Sequence, residues 1–307
     1  MRTTVVTTLG LVLAACSHER AAGLGRQREQ VLAPIDWKRV DLELGRPGAM
    51  QPDGAYKAGL PRSDLHVTVS SVTVKPALAL GSWVAFKQVS DTDAILMGDL
   101  VLLESEVGPV LAKLQEGGVE QTALHNHLLR ESPRVLYMHV AGRGAPARLA
   151  AAVHAALALT KTPSGAPVAA PAPAALGLDT TQIARILGYH GKVNGSVYQV
   201  GVSRAEPITA DGVEIPPSMG LATAINFQSI GHGKAVTTGD FVLIEPEVNP
   251  VIRALHDGGI AVTALHSHML ADSPHLFFMH YRGNDDALKL ARGLRAALDK
   301  MNMKRAG

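Results

Sequence analysis

Two near-identical phrases in this chain hold the residue types of a metal site. TALHNHLLRESPRVLYMH runs from Thr122 to His139, and TALHSHMLADSPHLFFMH runs from Thr263 to His280. Each contains a His-x-His pair, a Ser-Pro turn and a third histidine: His125, His127 and His139 in the first, His266, His268 and His280 in the second. Residues i and i+2 of a strand project from one face, so each His-x-His pair points one way. A turn centred on Ser132 would set His139 opposite His125, with Cβ atoms about 4.5–5.5 Å apart. Three imidazoles would then converge in each phrase. The opposite face would carry core residues, Leu124, Leu128, Leu136 and Met138 in the first phrase and Leu265, Met269, Phe277 and Met279 in the second. Such a set suits a first-row transition metal. Zinc is favoured, because it takes imidazole nitrogen at about 2.0–2.1 Å and a three-His shell leaves one position open; copper or nickel would bind the same set. Neutral imidazole is required, so binding should weaken below about pH 6.5.

Carboxylates recur beside the histidines. Asp99, Glu104 and Glu106 return as Asp240, Glu245 and Glu247. Glu104 and Glu245, at the ends of predicted strands, are the candidate general bases acting on a metal-bound water. Asp99, Asp240, Glu106 and Glu247 are candidates to orient a histidine through its second ring nitrogen. A plainer explanation covers Glu106 and Glu247 equally well: each opens a predicted helix, where an acid favours the dipole. Arg62 and Arg204 could bind an anion, or serve as hydrogen-bonding residues. The histidines have a plain reading too. Duplication preserves core residues, and the six could simply line an interface between two copies.

The elements that must position these residues are written twice. His266 follows His125 by 141 residues, and the same shift maps Gly98-Asp99, Pro109, Gly117-Gly118, Ser132-Pro133 and His139 onto their second-copy partners. Each copy begins with a short helix, 36–45 and 179–188, the second opening on a capping-box-like Asp179 and Gln182. In the first copy, extended segments follow over 65–74, 82–89 and 93–103, then a helix over 105–118 with a glycine stop. Strands over 119–129 and 134–142 flank the Glu-Ser-Pro turn, and an Ala-rich helix, 145–159, closes the copy; its twin is 285–301. This predicts an α+β fold of two homologous repeats, each an antiparallel sheet with helices on one side, packed about a pseudo-twofold axis. The repeats span 35–160 and 178–301, joined by a Pro/Ala-rich linker at 161–177.

The N-terminus reads as a targeting segment. MRTTVVTTLGLVLAAC has one basic residue, a short apolar stretch and LAAC before Cys16, which resembles a bacterial lipoprotein signal with its lipobox over 1–16. Cys16 would carry the lipid and hold the protein on a membrane outside the cytoplasm, in the cell envelope, with 17–34 as a tether. Cys16 is the only cysteine, so no internal disulfide forms and no thiol competes for metal. The balance of 29 basic and 27 acidic residues leaves no electrostatic footprint for nucleic acid. The Gly-Gly pairs read as helix C-caps, since the flanking order is helix to strand, the reverse of a nucleotide loop.

The phrases MGDLVLLESEVGPV, GGVEQTALHNHLLRESPRVLYMH and TALHSHMLADSPHLFFMH resemble the LppY/LpqO lipoprotein family, a group of duplicated bacterial proteins classed as a domain of unknown function. The resemblance spans most of residues 36–299 and implies an exported, often lipidated protein. It implies no reaction. Three functions compete on the residues alone: metal binding for sensing, storage or delivery; a metal-dependent hydrolase; and a non-catalytic envelope binding or scaffolding protein with structural histidines.

Overall fold

The computed structural model describes residues 32–165 and 176–305. The lipobox with Cys16, the tether up to residue 31 and the middle of the Pro/Ala linker lie outside the described residues. The first half runs α1 (Trp37–Leu44), β1 (Ala49–Met50), β2 (Tyr56–Pro61), β3 (Thr68–Val69), β4 (Val72–Thr73), α2 (Pro76–Ala79), β5 (Gly81–Gln88), β6 (Ala94–Leu103), α3 (Glu104–Glu116), β7 (Glu120–His125), β8 (Glu131–Ser132), β9 (Val135–Gly144) and α4 (Pro146–Leu157). The second half repeats it: α5 (Thr180–Leu187), β10 (Lys192–Asn194), β11 (Val197–Ser203), β12 (Thr209–Ala210), β13 (Val213–Glu214), a 3-10 turn (Pro217–Met219), β14 (Ala222–Gly231), β15 (Lys234–Leu243), α6 (Glu245–Asp257), β16 (Ala261–His266), β17 (Asp272–Ser273), β18 (Phe277–Asp286) and α7 (Ala287–Leu298). Each half is a six-stranded antiparallel sheet, in the order β1-β2-β5-β6-β9-β7 and β10-β11-β14-β15-β18-β16. The fold is therefore α+β, two like sheet-and-helix halves.

Local chemistry explains the helix ends. Asp36 accepts hydrogen bonds from the backbone of Lys38 and Arg39, and Gly45 closes α1 at φ 71°, a left-handed stop that glycine adopts without strain. Asp179 caps α5 in the same way, accepting from Gln182 N at 2.9 Å. The Gly-Gly pairs end helices as expected, Gly118 and Gly259 lying at φ 75° and 73°. Two expectations are corrected. The segment 65–74 is a tight ribbon, β3 and β4, turning at Ser70 and Ser71 with positive φ. The Glu-Ser-Pro turn is not a simple hairpin loop, because β8 leaves the main sheet to pair with β3.

Each sheet has two unlike faces. One packs on its helices: Leu96, Leu100, Met138 and Val140 meet Val40, Val110 and Leu149 in the first half. The other face meets the opposite half. Met97 of the first half shares a core with Ile208, Val242, Met269 and Phe278 of the second, and Tyr137 packs in a second core with Val197 and Val236. Burying that apolar area contributes roughly 25 cal/mol per Å², and it removes much of a sheet face from water. Hydrogen bonds cross the same interface, including Lys57 Nζ to Ser218 O at 2.7 Å, Gln228 Nε2 to Thr73 O at 2.8 Å and Gln199 Nε2 to Ala77 O at 2.8 Å. No helix among the described residues is long and apolar enough to cross a membrane.

Candidate metal centre

Strand register decides where the histidines point. β7 pairs with β9 so that Leu124 faces Met138, His125 faces Tyr137 and Ala123 faces His139. The pairing is centred on residue 131, and His139 lies diagonal to His125, not opposite it. Because the difference from a Ser132-centred turn is two residues, the side-chain parity is kept. A register irregularity between Gln121 and Ala123 sets that parity, and Val262 to Ala264 repeats it. Such a bulge shifts the alternation by one residue; without it His125 would point to the helices.

The expected apolar backing is only partly present. Met138 and Met279 are buried against the helices, but Leu124 and Leu265 are about half exposed on the edge strands. Leu128 and Met269 are buried instead in the cores between the halves.

The histidine face is the face that meets the other half. Consequently the six rings do not form two separate three-His sites. They form one array across the interface. His125 stacks on His266 with ring centroids 3.5 Å apart, His127 on His280 at 3.6 Å, and His139 on His268 at 3.5 Å. His125 meets its own counterpart and the other two contacts exchange under the duplication, as a pseudo-twofold axis through the His125–His266 pair requires. Tyr137 and Phe278, equivalent positions, close the array by stacking on His127 and His268. The interface reading offered by the sequence is met, and the site is nonetheless rich in free ligand atoms.

Asp99 and Asp240 belong to this array directly. β6 places Asp99 beside His139, and β15 places Asp240 beside His280. His127 Nε2 and His139 Nε2 stand 3.9 and 4.0 Å from the Asp99 oxygens; His268 Nε2 and His280 Nδ1 stand 3.7 and 3.9 Å from those of Asp240. Both acids therefore stand close enough to the ring nitrogens to share an ion with them. Asp99, His127 and His139 form one set whose ligand atoms lie within 4.8 Å of one another, and Asp240, His268 and His280 form its twin. The same limit holds for His125 with His127 and His280, and for His125 and His266 with His139 and His268.

The other predicted acids lie elsewhere. Glu106 is held by Arg62, whose Nη1 and Nη2 donate to it at 2.7 and 3.1 Å. The same guanidinium donates to Asp64 and to Val101 O. Glu247 is held likewise by Arg204, which also meets Glu206 and Val242 O. So Glu106 and Glu247 are structural, and the arginines take the hydrogen-bonding role. Glu104 and Glu245 begin α3 and α6, exposed to solvent. The strand from Asp99 to Leu103 alone separates Glu104 from the array by roughly 13 Å; neither glutamate can act as its base.

The electrostatics are those of a buried cluster held in its neutral forms. Burial pushes the Asp99 carboxyl up to about 8, with Lys57 working against the shift. Burial, then the like charge of Asp99, raises Asp240 well above its ordinary value. Burial holds the imidazoles down, His125 to about 3 and His266 to about 4, with His127, His139, His268 and His280 also well below normal. The rings are neutral at pH 7, with a lone pair to offer. His280 Nδ1 lies 3.1 Å from Gly239 O; a carbonyl only accepts, so in the metal-free protein the proton sits on Nδ1 and Nε2 is free, and an ion shared with Asp240 would have to displace that proton, because the same Nδ1 faces Asp240. That Nε2 is 3.3 Å from His125 Nε2. Two nitrogens sharing a tetrahedral ion at about 2.0–2.1 Å stand about 3.3–3.4 Å apart.

Hydrogen bonding gives the sharpest test of fit. Among the described residues, ten buried side-chain polar atoms lack a partner, and eight belong to Asp99, His125, His127, His139, Asp240, His266 and His268. An unsatisfied buried group costs about 1–3 kcal/mol, so a cluster of eight would approach the whole stability of a domain, about 5–15 kcal/mol. A cation binding the ring nitrogens and carboxylate oxygens relieves it. The residues present could hold a metal ion. Sequence reasoning did not find the stacking rings of Tyr137 and Phe278, and it did not separate Asp99 and Asp240, which stand beside the ring nitrogens, from Glu106 and Glu247. The i+2 spacing of Asp99 and Asp240 from Met97 and Thr238 along a strand was visible, but not which sheet face would be buried.

Among solved structures, a trimeric bacterial microcompartment shell protein, PduB, is similar at 12% identity over 84% of this chain and 95% of that one. Its TM-score of 0.22 is too low to bear on fold or function. No curated protein matches the chain. The family described as Domain of Unknown Function (DUF1259) matches twice, over residues 38–159 and 181–300; those segments are the two halves that meet at the histidines, and the chain belongs to that family as a tandem duplicate.

Proposed function

We propose that this protein binds transition-metal ions in the six-histidine, two-aspartate array, two ions per chain, one on each Asp-His-His set. The concentration of orphaned ligand atoms carries the reading: eight of the ten unpartnered buried polar atoms among the described residues lie there. Zinc is the favoured ion because the set is all nitrogen and oxygen and can be tetrahedral; copper and nickel compete on affinity. Each ion would return its carboxylate to the ionised form, since a cation reverses the effect of burial. His125 and His266 are only half-buried and give ions a way in from solvent. The lipobox-like N-terminus and the resemblance of the histidine phrases to LppY/LpqO lipoproteins support an envelope lipoprotein anchored through Cys16, with metal sensing, storage or delivery as its role. The hydrolytic alternative lacks the base assigned to it, Glu104 or Glu245.

Elemental analysis of the full chain after zinc loading and desalting tests this. The expected result is close to two ions per chain, falling in a variant with His139→Ala and His280→Ala that keeps its circular dichroism. No retained metal in the unaltered chain would reject metal binding and leave the histidines as an interface packing device.

A further inference from the structure

Ser267, Asp272 and His275 form a hydrogen-bonded relay in the second half. His275 Nδ1 lies 2.9 Å from Asp272 Oδ1, and His275 Nε2 lies 3.2 Å from Ser267 Oγ. A carboxylate only accepts, so Nδ1 carries the proton and Nε2 presents its lone pair to the hydroxyl. This is the order of groups that activates a serine: the nucleophile on a base, and the base on an acid that fixes its tautomer.

Local structure holds each member in place. Asp272 lies on β17, which pairs with β12. Its side chain is only 1% exposed, and its second oxygen accepts from Leu276 N at 2.6 Å. The His275 ring meets Phe277 edge-on, with centroids 5.1 Å apart. Ser267 directly follows β16. Its hydroxyl also faces Leu276 O at 3.2 Å, so one proton has two acceptors within reach. The backbone N–H of His268 comes next in the chain, the position from which hydrolases draw an oxyanion donor, and among the described residues it meets no acceptor. The His275 side chain is 54% exposed, so a substrate can reach the base from solvent.

The first half lacks the relay. The 141-residue shift puts Asn126, Glu131 and Arg134 at the three positions. Asn126 Nδ2 donates to Glu131 Oε1 at 3.4 Å, but an amide is no nucleophile and a guanidinium has no lone pair to accept a proton. Packing needs shared by the two copies therefore do not account for the second-half set.

We infer that Ser267 is a nucleophile for acyl transfer, with His275 as its general base, Asp272 positioning the imidazole, and a small ester as the substrate. Ser267 Oγ bonds to the ester carbonyl carbon as its proton passes to His275 Nε2. The bond from that carbon to the leaving alkoxy oxygen breaks, and the departing alcohol takes the proton from Nε2. Water then adds to the acyl carbon and gives a proton to Nε2; the bond to Ser267 Oγ breaks and the serine regains its proton. Ester and water become carboxylic acid and alcohol. An open site offers little binding energy to help expel a poor leaving group, which favours esters over amides. No step uses a metal ion, so this activity stands apart from the metal reading above.

Two measurements on the full chain, both with a chelator present so that an ion at the histidine array contributes nothing, test the inference: turnover of p-nitrophenyl acetate, and labelling by a fluorophosphonate mapped by peptide mass spectrometry. Expected are a label on Ser267 and a fall in kcat of at least about a hundredfold in Ser267→Ala and in His275→Gln. Asp272→Asn should lower kcat at least about tenfold with KM little changed, and Asp272→Glu should recover part of it. Arg134→Ala, at the first-half position, should leave the rate unchanged. Circular dichroism accompanies each variant, and the label on the unaltered chain identifies the nucleophile even where a variant does not fold. A chain with neither turnover nor label overturns the inference. Turnover that survives Ser267→Ala assigns ester cleavage to the exposed imidazole alone and overturns the nucleophile. A loss in Arg134→Ala equal to that in His275→Gln overturns the assignment to the second half.

Discussion

Each half buries two polar constellations, and it treats them in opposite ways. Around Arg62 the guanidinium is closed off by Glu106, Asp64 and a backbone carbonyl, and Arg204 repeats the arrangement with Glu247, Glu206 and its own carbonyl. Around Asp99 and Asp240 the ring nitrogens and carboxylate oxygens are brought within 4 Å and left without partners. The same fold that satisfies one buried charge fully leaves another open, twice. Oppositely charged partners complete a structural site from within the chain. A set made only of neutral donors and acids has no such partner within the chain, and that difference is what makes the array a candidate metal centre.

The sharpest way to break this comparison is to open the closed constellation. Arg62→Ala strands Glu106 in the interior, and removing one member of a buried pair costs about 3–5 kcal/mol. Urea denaturation should show that loss in chelated protein, while the number of zinc ions bound by the folded variant stays the same. A fall in zinc number at full folding would show that the two constellations are one. Next in size, Asp99→Asn keeps shape but removes the charge. Zinc affinity at one of the two sites should fall at least about tenfold, or 1.4 kcal/mol, measured by competition with a chromophoric chelator, with little change in chelated stability.

Acid sharpens the contrast further. The imidazoles of the array have folded pKa values below the ordinary 6.5, His125 about 3 and His266 about 4. The unfolded chain therefore takes up protons first. For the chelated protein this means stability is lost as pH falls from about 6.5 toward the folded values. Urea midpoints at pH 7 and pH 5 should differ accordingly, and by less in His125→Ala with His266→Ala; equal slopes would contradict buried, neutral rings. Asp99 acts in the opposite sense, lowering chelated stability as pH climbs from about 4 toward its folded value of about 8, and the raised Asp240 works in the same direction. The smallest effect uses a difference already present between halves. Tyr137 stands where the second half has Phe278, and its hydroxyl donates to Ala79 O at 2.7 Å. Tyr137→Phe should cost about 1 kcal/mol and leave zinc binding intact, because the stacking ring remains.

Much of this was readable before any coordinates. The duplication, the strand parity of His125 with His127 and of His266 with His268, the helix caps at Asp36 and Gly45, and the recurrence of Asp99 as Asp240 are all short-range or pattern features. The separation of Asp99 from Glu106 was not readable. Both are acids seven residues apart with identical recurrence, and only the approach of Arg62, 44 residues upstream of Glu106, removes one from the site. Likewise the turn centre could be placed only to within a residue or two, because β8 is drawn away by β3, a partner more than sixty residues earlier.

By itself the sequence determined two copies of one α+β unit and three histidines per copy on a shared strand face, since alternation along a strand is a local property of the backbone. Tertiary structure decided the rest. The bulges at Thr122 and Thr263 turn the rings away from the helices, and the packing of one sheet face against the other pairs His125 with His266, His127 with His280 and His139 with His268. The physical reason is that a site of this kind would need ligand atoms within a few ångströms, and each of the six histidines stacks on a histidine of the other half, across an interface that no local pattern encodes.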